Sequence, residues 1–471
     1  MLPTTCEEPG TVTGGRLAGG LAALRARLEG ELVTPGDRGW DDARQTWNLA
    51  VDQRPELVVF PAGPEDVVAA VEYANGNGLA VAAQGTGHGA AARGSLEGSL
   101  LLNMARLARF EIDPARGRVR VEPGATWGPV AEGAGEHGLA GLAACAPDVG
   151  VVGHALGGGL GWLARRHGLA ANSVRALEVV TAGGARLRVD GDHDPALFWA
   201  LRGGGGSFAV VTAMELELFP ISTVQAGLLA WPVEQARTVI GLYDEWVDTV
   251  PDDLTSLVRI LHRAPAGGLS ESMTGTTWVV VEAVLVGSDA AGEELLEPLR
   301  RARPAVDTFR ARRASRLNRL HADPPRPTAL VGHGGLLREL TAHAVDDLVE
   351  VAGGDSRTSV SSIELRHLGG ALSRPQAGYG ALAALEGRYA LFAVGTPRRP
   401  EHAAIVERDV QAVLDALAPC SSSRDYLNFR GREGDAGHAF SRELAVCLRA
   451  VKAAFDPGEL IRSSHSVEPG A

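Results

Sequence analysis

The chain of 471 residues is too long for one ordinary hydrophobic core, so two domains or one large split domain is expected. Its 45% hydrophobic and 22% charged residues suit a globular protein with a large core, and a formal net charge of −12 without a long basic block excludes nucleic acid as an expected partner. Four cysteines (Cys6, Cys145, Cys420, Cys447) without CxxC spacing, no signal-peptide pattern and no apolar run of membrane-spanning length lead to the expectation of a soluble, cytoplasmic protein with no membrane partner.

In chain order, Leu17, Leu21, Leu24 and Leu28 recur at helical spacing and predict a helix over 16–30 that ends at Gly30. Residues 57–60 (LVVF) predict a buried strand, Pro64 to Ala74 a helix with Asn75-Gly76 at its end, and 79–83 the next strand. Such a crossover implies parallel pairing. Strands follow at 99–103 and 118–122, and Thr126 caps a helix ending near Gly138. ALEVVTAGGARLRV predicts a hairpin turning at Gly183-Gly184, DPALFWAL a short helix, and FAVVTAMELELF a strand that closes this region at Pro220.

Beyond Pro220 the texture changes. Helices at about 233–250, 289–303 and 401–418 alternate with strand-like runs at 277–286, 360–368 and 387–395. Long Arg- and Pro-rich connections such as 304–328 separate them, which marks a second, α+β domain. Within that connection, Arg310, Arg312, Arg313 and Arg316 read as a solvated helix face or salt-bridge partners. LRAVKAAFDPGEL closes the chain as a helix stopped by Asp456-Pro457-Gly458.

The stretch from Pro147 to Asn172, PDVGVVGHALGGGLGWLARRHGLAAN, holds Gly157, Gly158, Gly159 and Gly161 between an apolar run and a Trp-containing segment. Such glycines let backbone N–H groups approach a bulky anion, which predicts a phosphate cradle. Glycines also mark tight turns and close packing, and for this stretch alone that alternative stands. Two further glycine-rich loops, at 85–89 and 203–206, favour the cradle. The first of them meets only the loosest dinucleotide fingerprint, with no amphipathic helix behind it and no acidic residue ending the next strand, so an NAD site is disfavoured. Walker, HExxH and paired-cysteine zinc patterns do not occur, and no metal is expected.

Three blocks stand in one order: GTGHGA at 85–90, PDVGVVGHALGGGLGWLARRHGLAANSV at 147–174, and FWALRGGGGSFAVVT at 198–212. Together with DYLNFRG at 425–431 and VKAAFDPGELIR at 451–462, the sequence resembles the berberine-bridge-enzyme-like oxidases of the vanillyl-alcohol-oxidase superfamily, with their PCMH-type FAD-binding domain. The resemblance covers about residues 40–220 and 415–466 and is loose between 221 and 414. It implies an α+β fold: a helical lead-in (1–39), a two-lobed FAD-binding domain (40–220), a substrate domain with an antiparallel sheet (221–414), and a closing segment (415–471) that returns to the FAD domain.

The resemblance also implies roles for single residues. His88, between two glycines at a strand tip, matches the histidine whose imidazole attacks the flavin 8α-methyl group and stays attached; taken alone, it would be a loop histidine bonded to a backbone carbonyl. Gly85, Thr86, Gly87 and Gly89 flank it in the cofactor loop, and Asp148, Val149, Gly150, Gly153, His154, Gly157, Gly158, Gly159 and Gly161 form the second set of flavin contacts, with Gly203 to Gly206 beside the ring system. Relatives with a second flavin link carry a cysteine directly before a proline, where this chain has Ala146; Cys145 lies one residue early, on the opposite face of an extended strand. A single link through His88 is therefore expected, with Cys145 a small buried thiol unless a bulge restores the geometry.

Val149 matches a position near the oxygen-reactive face and favours O2 as acceptor, though a valine there also suits plain core. Tyr426 matches the first tyrosine of a YxNY pattern whose phenolate takes the substrate hydroxyl proton, Asn428 orients the segment, and Phe429 replaces the second tyrosine. The alternative for Tyr426 is a sheet residue with its hydroxyl in water. His367 and Tyr379 are pocket candidates by residue type alone, and Trp127, Trp162 and Trp199 read as core.

The expected function is a two-electron oxidation of a C–OH or C–N substrate by covalent FAD, reducing O2 to hydrogen peroxide. Small-molecule substrates ranging from sugars to polyketide and peptide natural products fit. The rivals are a flavin dehydrogenase with another acceptor, an oxidative-cyclisation enzyme on the same scaffold, and a non-redox protein that keeps the flavin fold for binding.

Overall fold

Apolar runs bounded by turn residues become three sheets in the computed structural model, which describes residues 14–262, 273–354 and 356–468. Cys6, the first thirteen residues of the expected lead-in and the last three residues of the chain lie outside the described residues.

The first sheet orders its strands Glu31–Val33, Leu57–Phe60, Ser99–Asn103, Ala80–Gln84. The strands before and after the helix Pro64–Asn77 do run parallel, but Ser99–Asn103 lies between them and pairs with both. The helix itself continues past Asn75-Gly76 and stops at Gly78, whose φ of 68° ends it in the left-handed region. Its face of Val67, Ala70, Val71 and Ala74 is buried on the sheet with Val59, Val81 and Leu100.

The second sheet is antiparallel and orders Phe110–Asp113, Arg118–Val121, Val210–Glu217, Val174–Val180, Arg186–Val189. It includes the expected hairpin across Gly183-Gly184.

The third and largest sheet is wholly antiparallel and orders Val306–Asp307, Thr223–Pro232, Trp278–Leu285, Leu254–Leu261, Val360–His367, Tyr389–Gly395, Val331–Leu337, with Arg310–Arg313 also on Thr223–Pro232. Strands 223–232, 254–261 and 331–337 and the helix Ala342–Ala352 extend the sequence reading, and the connection 304–328 proves to hold strand and 3₁₀ structure. Arg310, Arg312 and Arg313 are therefore strand residues, not a helix face. One face of this sheet, with Val279, Val281 and Ala283, packs on the helices Ala236–Trp246, Ala342–Ala352 and Ala403–Leu417. Its other face, with Ala226, Leu257, Val284 and Ala390, joins the same core as Val151, Leu160, Cys145 and Tyr426. The glycine stretch and the large sheet therefore share one apolar interior.

The chain end returns to the first sheet: Val81 N donates to Leu460 O (2.7 Å) and Arg462 N to Val81 O (2.8 Å). The helix Arg442–Phe455 is tied down by buried Lys452, whose Nζ reaches Ser207 O (2.7 Å), Asp456 Oδ2 (2.5 Å) and Ile461 O (3.1 Å).

Candidate active site

The strand Ala80–Gln84 delivers the loop 85–89 into a crowded position. A Cβ on Gly85 would stand 2.7 Å from Pro123 O, and Gly87, at φ 86°, would put one 2.8 Å from Thr46 Cβ. The backbone thus runs where only glycine fits. His88 lies flat on Trp47, with ring centroids 4.1 Å apart and planes 20° off parallel. Trp47 Nε1 donates to Asp148 Oδ2 (2.5 Å), and Asp148 Oδ1 is 3.5 Å from His88 Nε2. Burial raises the Asp148 pKa, but His88 and Trp47 outweigh it and hold the carboxyl below its usual range. A carboxylate beside one ring nitrogen of His88 orients the imidazole and favours a proton on that nitrogen.

Gly150 touches this loop, since its Cβ position lies 3.6 Å from Thr86. From Gly150 a helix of six residues, Val151–Leu156, which contains Gly153 and His154, leads to the glycine turn. Gly158 and Gly159 have φ of 115° and 83°, and a Cβ on Gly161 would collide with Ala143 O at 2.1 Å. Asn428 closes the turn from the chain end: Nδ2 donates to His154 O (2.9 Å), and its Oδ1 fills the space a Gly157 Cβ would take. His154 is half-buried, its Nδ1 accepts from Trp127 Nε1 (3.2 Å), and the surrounding protein, by desolvating it, pushes its pKa down to about 4. It is a neutral imidazole at physiological pH.

Tyr426 is completely buried at the start of a 3₁₀ turn, so it is neither a sheet residue nor in water. Its hydroxyl oxygen accepts from Leu160 N (2.9 Å) and lies 3.4 Å from Asn428 Nδ2. Burial raises the phenol's pKa strongly, and the backbone N–H of Leu160 and the nearby Arg366 pull it back only in part.

The third glycine loop joins the same place. Gly205 N donates to Leu156 O (2.9 Å), and a Cβ on Gly203 would lie 2.4 Å from Leu382 Cβ. Ser207 Oγ and Ser463 Oγ are 2.7 Å apart, and Gly89 approaches Ser464 Oγ. Three blocks, 85–90, 198–212 and 425–431, thus meet residues 148–161 of a fourth, and the block 451–462 is tied to Val81 and Ser207 beside them. Beside the first glycine loop Gln84 Oε1 and Arg93 Nε and Nη1 are buried without a hydrogen-bond partner in the protein, while His88 Nε2 and Asp148 Oδ1 face each other. Native folds rarely leave such atoms unsatisfied. Donors, acceptors and a guanidinium beside a turn stripped of side chains fit a flavin nucleotide, whose rings, hydroxyls and phosphates match that set.

Cys145 and Ala146 are both buried. The Cys145 sulfur meets the large sheet, where Arg366 Nη1 donates to Sγ (2.9 Å). Burial pushes the thiol up to about 11 although Arg366 acts against it. Val149 packs, partly buried, against the shared core.

Behind Arg366 runs a line of buried charges. Glu364 accepts from Arg366 Nη2 through both oxygens (3.0 and 3.1 Å), His321 bridges Glu364 (3.1 Å) and Glu282 (2.6 Å), and Glu282 is 2.5 Å from Arg259. Glu282 is a lone charge in the apolar run TWVVVEAVLV, and Glu364 and Arg366 alternate on one face of their strand. Those were the available sequence signals for a buried polar network.

His367 points away from that line. Arg165 Nη1 holds its Nε2 at 2.9 Å, and burial pushes its pKa down to about 3. Tyr379 lies beside Gly168, 3.9 Å from its Cβ position, outside the convergence. Trp127 and Trp162 are buried and Trp199 packs partly buried on the core.

Residues 55–190 match the family described as FAD binding domain. The chain is 26% identical over 458 residues to (R)-6-hydroxynicotine oxidase of Paenarthrobacter nicotinovorans, covering 94% of this chain and 97% of the relative. Its fold superposes on BBE-like 1 of Physcomitrella patens with a TM-score of 0.84 at 18% identity, covering 96% and 99% of the two chains. Glucooligosaccharide oxidase of Acremonium strictum, solved with 6-S-cysteinyl, 8α-N1-histidyl FAD, superposes with a TM-score of 0.82 at 24% identity, covering 96% and 99%.

Proposed function

We propose that this chain, an FAD-linked oxidoreductase with a PCMH-type FAD-binding domain and a berberine-bridge-enzyme-like fold, oxidises a small molecule at a carbon bearing nitrogen or oxygen and passes the electrons to O2. The observation that carries the reading is the meeting of three distant blocks on residues 148–161, with a constrained histidine at one side and a glycine turn closed by Asn428 and Tyr426 at the other.

FAD, when bound, supplies the hydride acceptor and the site of reaction with oxygen. The chain's own residues do the rest. His88 is the residue of covalent attachment: Asp148 and Trp47 hold its ring and leave the other nitrogen, Nδ1, as the nucleophile. Gly157 to Gly161 and Gly203 to Gly206 bring backbone close to the cofactor, and Gln84 and Arg93 offer polar atoms to it. Cys145, engaged by Arg366, forms no second link. Val149 borders the oxygen-reactive face, and the free thiols Cys145 and Cys420 suit work in the reducing cytoplasm.

Between the two substrate types, the state of Tyr426 favours C–N. Alcohol oxidation needs a base for the hydroxyl proton, whereas the lone pair of a neutral amine drives hydride loss unaided. An enclosed phenol with a raised pKa is a poor base near neutrality, and Phe429 has no hydroxyl to replace it. The full-length relative named a hydroxynicotine oxidase agrees with that preference.

The test is anaerobic mixing of the holoprotein with panels of cyclic amines and of oligosaccharides, followed by admission of oxygen. Bleaching of the flavin absorbance by amines, and fast recovery in oxygen with peroxide formed, is expected. Bleaching by sugars alone would overturn the C–N preference, and slow recovery would overturn the oxidase reading.

A further inference from the structure

The buried charge line described above is anchored at one imidazole. His321 is 4% exposed and takes carboxylates at both ring nitrogens: Glu282, from strand 278–285, at Nδ1, and Glu364, from strand 360–367, at Nε2, with Asp323 a further 3.8 Å from Nε2. Arg259, from strand 254–261, opposes them: its Nη1 lies 3.3 Å from Nε2 and its Nη2 donates to the His321 carbonyl (3.0 Å). The Trp162 ring, on the segment after the glycine turn, is 6.4 Å away. Two buried carboxylates 2.6 and 3.1 Å from one ring would repel each other across a neutral imidazole, so the arrangement holds together as an imidazolium between two anions.

The far end of the line meets the flavin-binding segments. Arg366 is fixed by both oxygens of Glu364, donates to Cys145 Sγ, and lies over the Phe429 ring at 5.2 Å; Phe429 in turn meets Tyr426 edge-on at 5.1 Å. Removing the bridge would cut the Glu364–Arg366 pair from Glu282 and Arg259, so the guanidinium could move together with its carboxylate.

We propose that His321 is a positioning residue of the site: by bridging Glu282 and Glu364 it fixes Arg366, and through Arg366 it holds the Cys145 sulfur on the large sheet, off the glycine stretch. Burial and Arg259 oppose the proton on His321, but Glu282, Asp323 and Glu364 raise its pKa to about 9. The bridge is whole at neutral pH and opens as pH rises through that value. This inference concerns the protein alone and does not depend on the choice of substrate.

Peptide-mapped alkylation of the full-length holoprotein with iodoacetamide tests it, because the chain carries its own controls. Cys447 is exposed and should react throughout, whereas Cys420, buried in the helix-backed core of the large sheet, reports any general loosening. The quantity read is Cys145 labelling divided by Cys420 labelling, each corrected for the thiolate fraction from the pH dependence of the same cysteine in the urea-unfolded protein and in His321→Gln. In the wild type it should stay low at neutral pH and rise about tenfold with a midpoint near pH 9. Glu282→Gln removes one anion and should move that midpoint to lower pH by about one unit or more. His321→Gln should give a high ratio already at neutral pH and no transition. A ratio indifferent to pH and to both substitutions, or Cys145 and Cys420 opening together, would overturn the proposal. If His321→Gln does not fold, the midpoint in Glu282→Gln decides alone: a shift sustains the proposal and an unmoved midpoint ends it.

Discussion

Gly159 has φ 83°, and a Cβ there would sit 2.5 Å from that of Ala170. Gly159→Ala therefore combines backbone strain with a collision, and a loss of about 1–3 kcal/mol is expected, together with a lower flavin-to-protein absorbance ratio after purification. An unchanged melting temperature and full flavin content would refute the crowding argument. The folded pKa of His321, about 9, is above the ordinary histidine value, so its stabilisation is fully present below about pH 6.5 and is lost as pH rises through 9. The urea midpoint of the wild type should fall from neutral pH to about pH 9.5 more steeply than that of His321→Gln, and equal slopes would deny the linkage. The residues of the first glycine loop and the central stretch were legible because glycines and a flanked histidine form contiguous motifs. The link from His321 to Glu364 and Arg366 was not, because the fold joins a loop to a strand over forty residues further along the chain.

At the scale of elements, the helix Arg442–Phe455 depends on Lys452, which is buried with Asp456. Lys452→Met leaves Asp456 supported only by the backbone N–H groups of Leu460 and Ile461. Breaking such a pair costs about 3–5 kcal/mol. Hydrogen exchange should speed up in residues 442–467 and in the loop 203–207 that Lys452 also holds, while the large sheet's helices keep their protection; uniform exchange would argue against a local tether. The strands legible in the sequence were apolar runs such as 57–60, 99–103 and 277–286. Strand 331–337, VGHGGLL, was missed because three of its seven residues are glycines, which carry no β pattern; Gly334 is there because Leu391 O would stand 2.0 Å from its Cβ. Strand 254–261, LTSLVRIL, was missed because both of its faces are buried, so it lacks alternation. The parallel crossover was legible, but the insertion of Ser99–Asn103 between its two strands is a long-range choice that local pattern does not encode.

At the scale of the molecule, the site exists only because distant parts of the chain meet. Loop 85–89 contacts 148–150, Leu156 contacts 205–206, and residues 426–428 and 463–465 arrive from the far end. Among the described residues no helix is long and apolar enough to cross a membrane. Covalent attachment of FAD through His88 is tested by acid precipitation of the purified protein followed by intact mass of wild type, His88→Ala and Cys145→Ala. The prediction is that flavin stays with the precipitated wild type and Cys145→Ala and is absent from His88→Ala. Flavin released from the wild type would contradict covalent attachment, and flavin retained by His88→Ala would show that Cys145 also forms a bond.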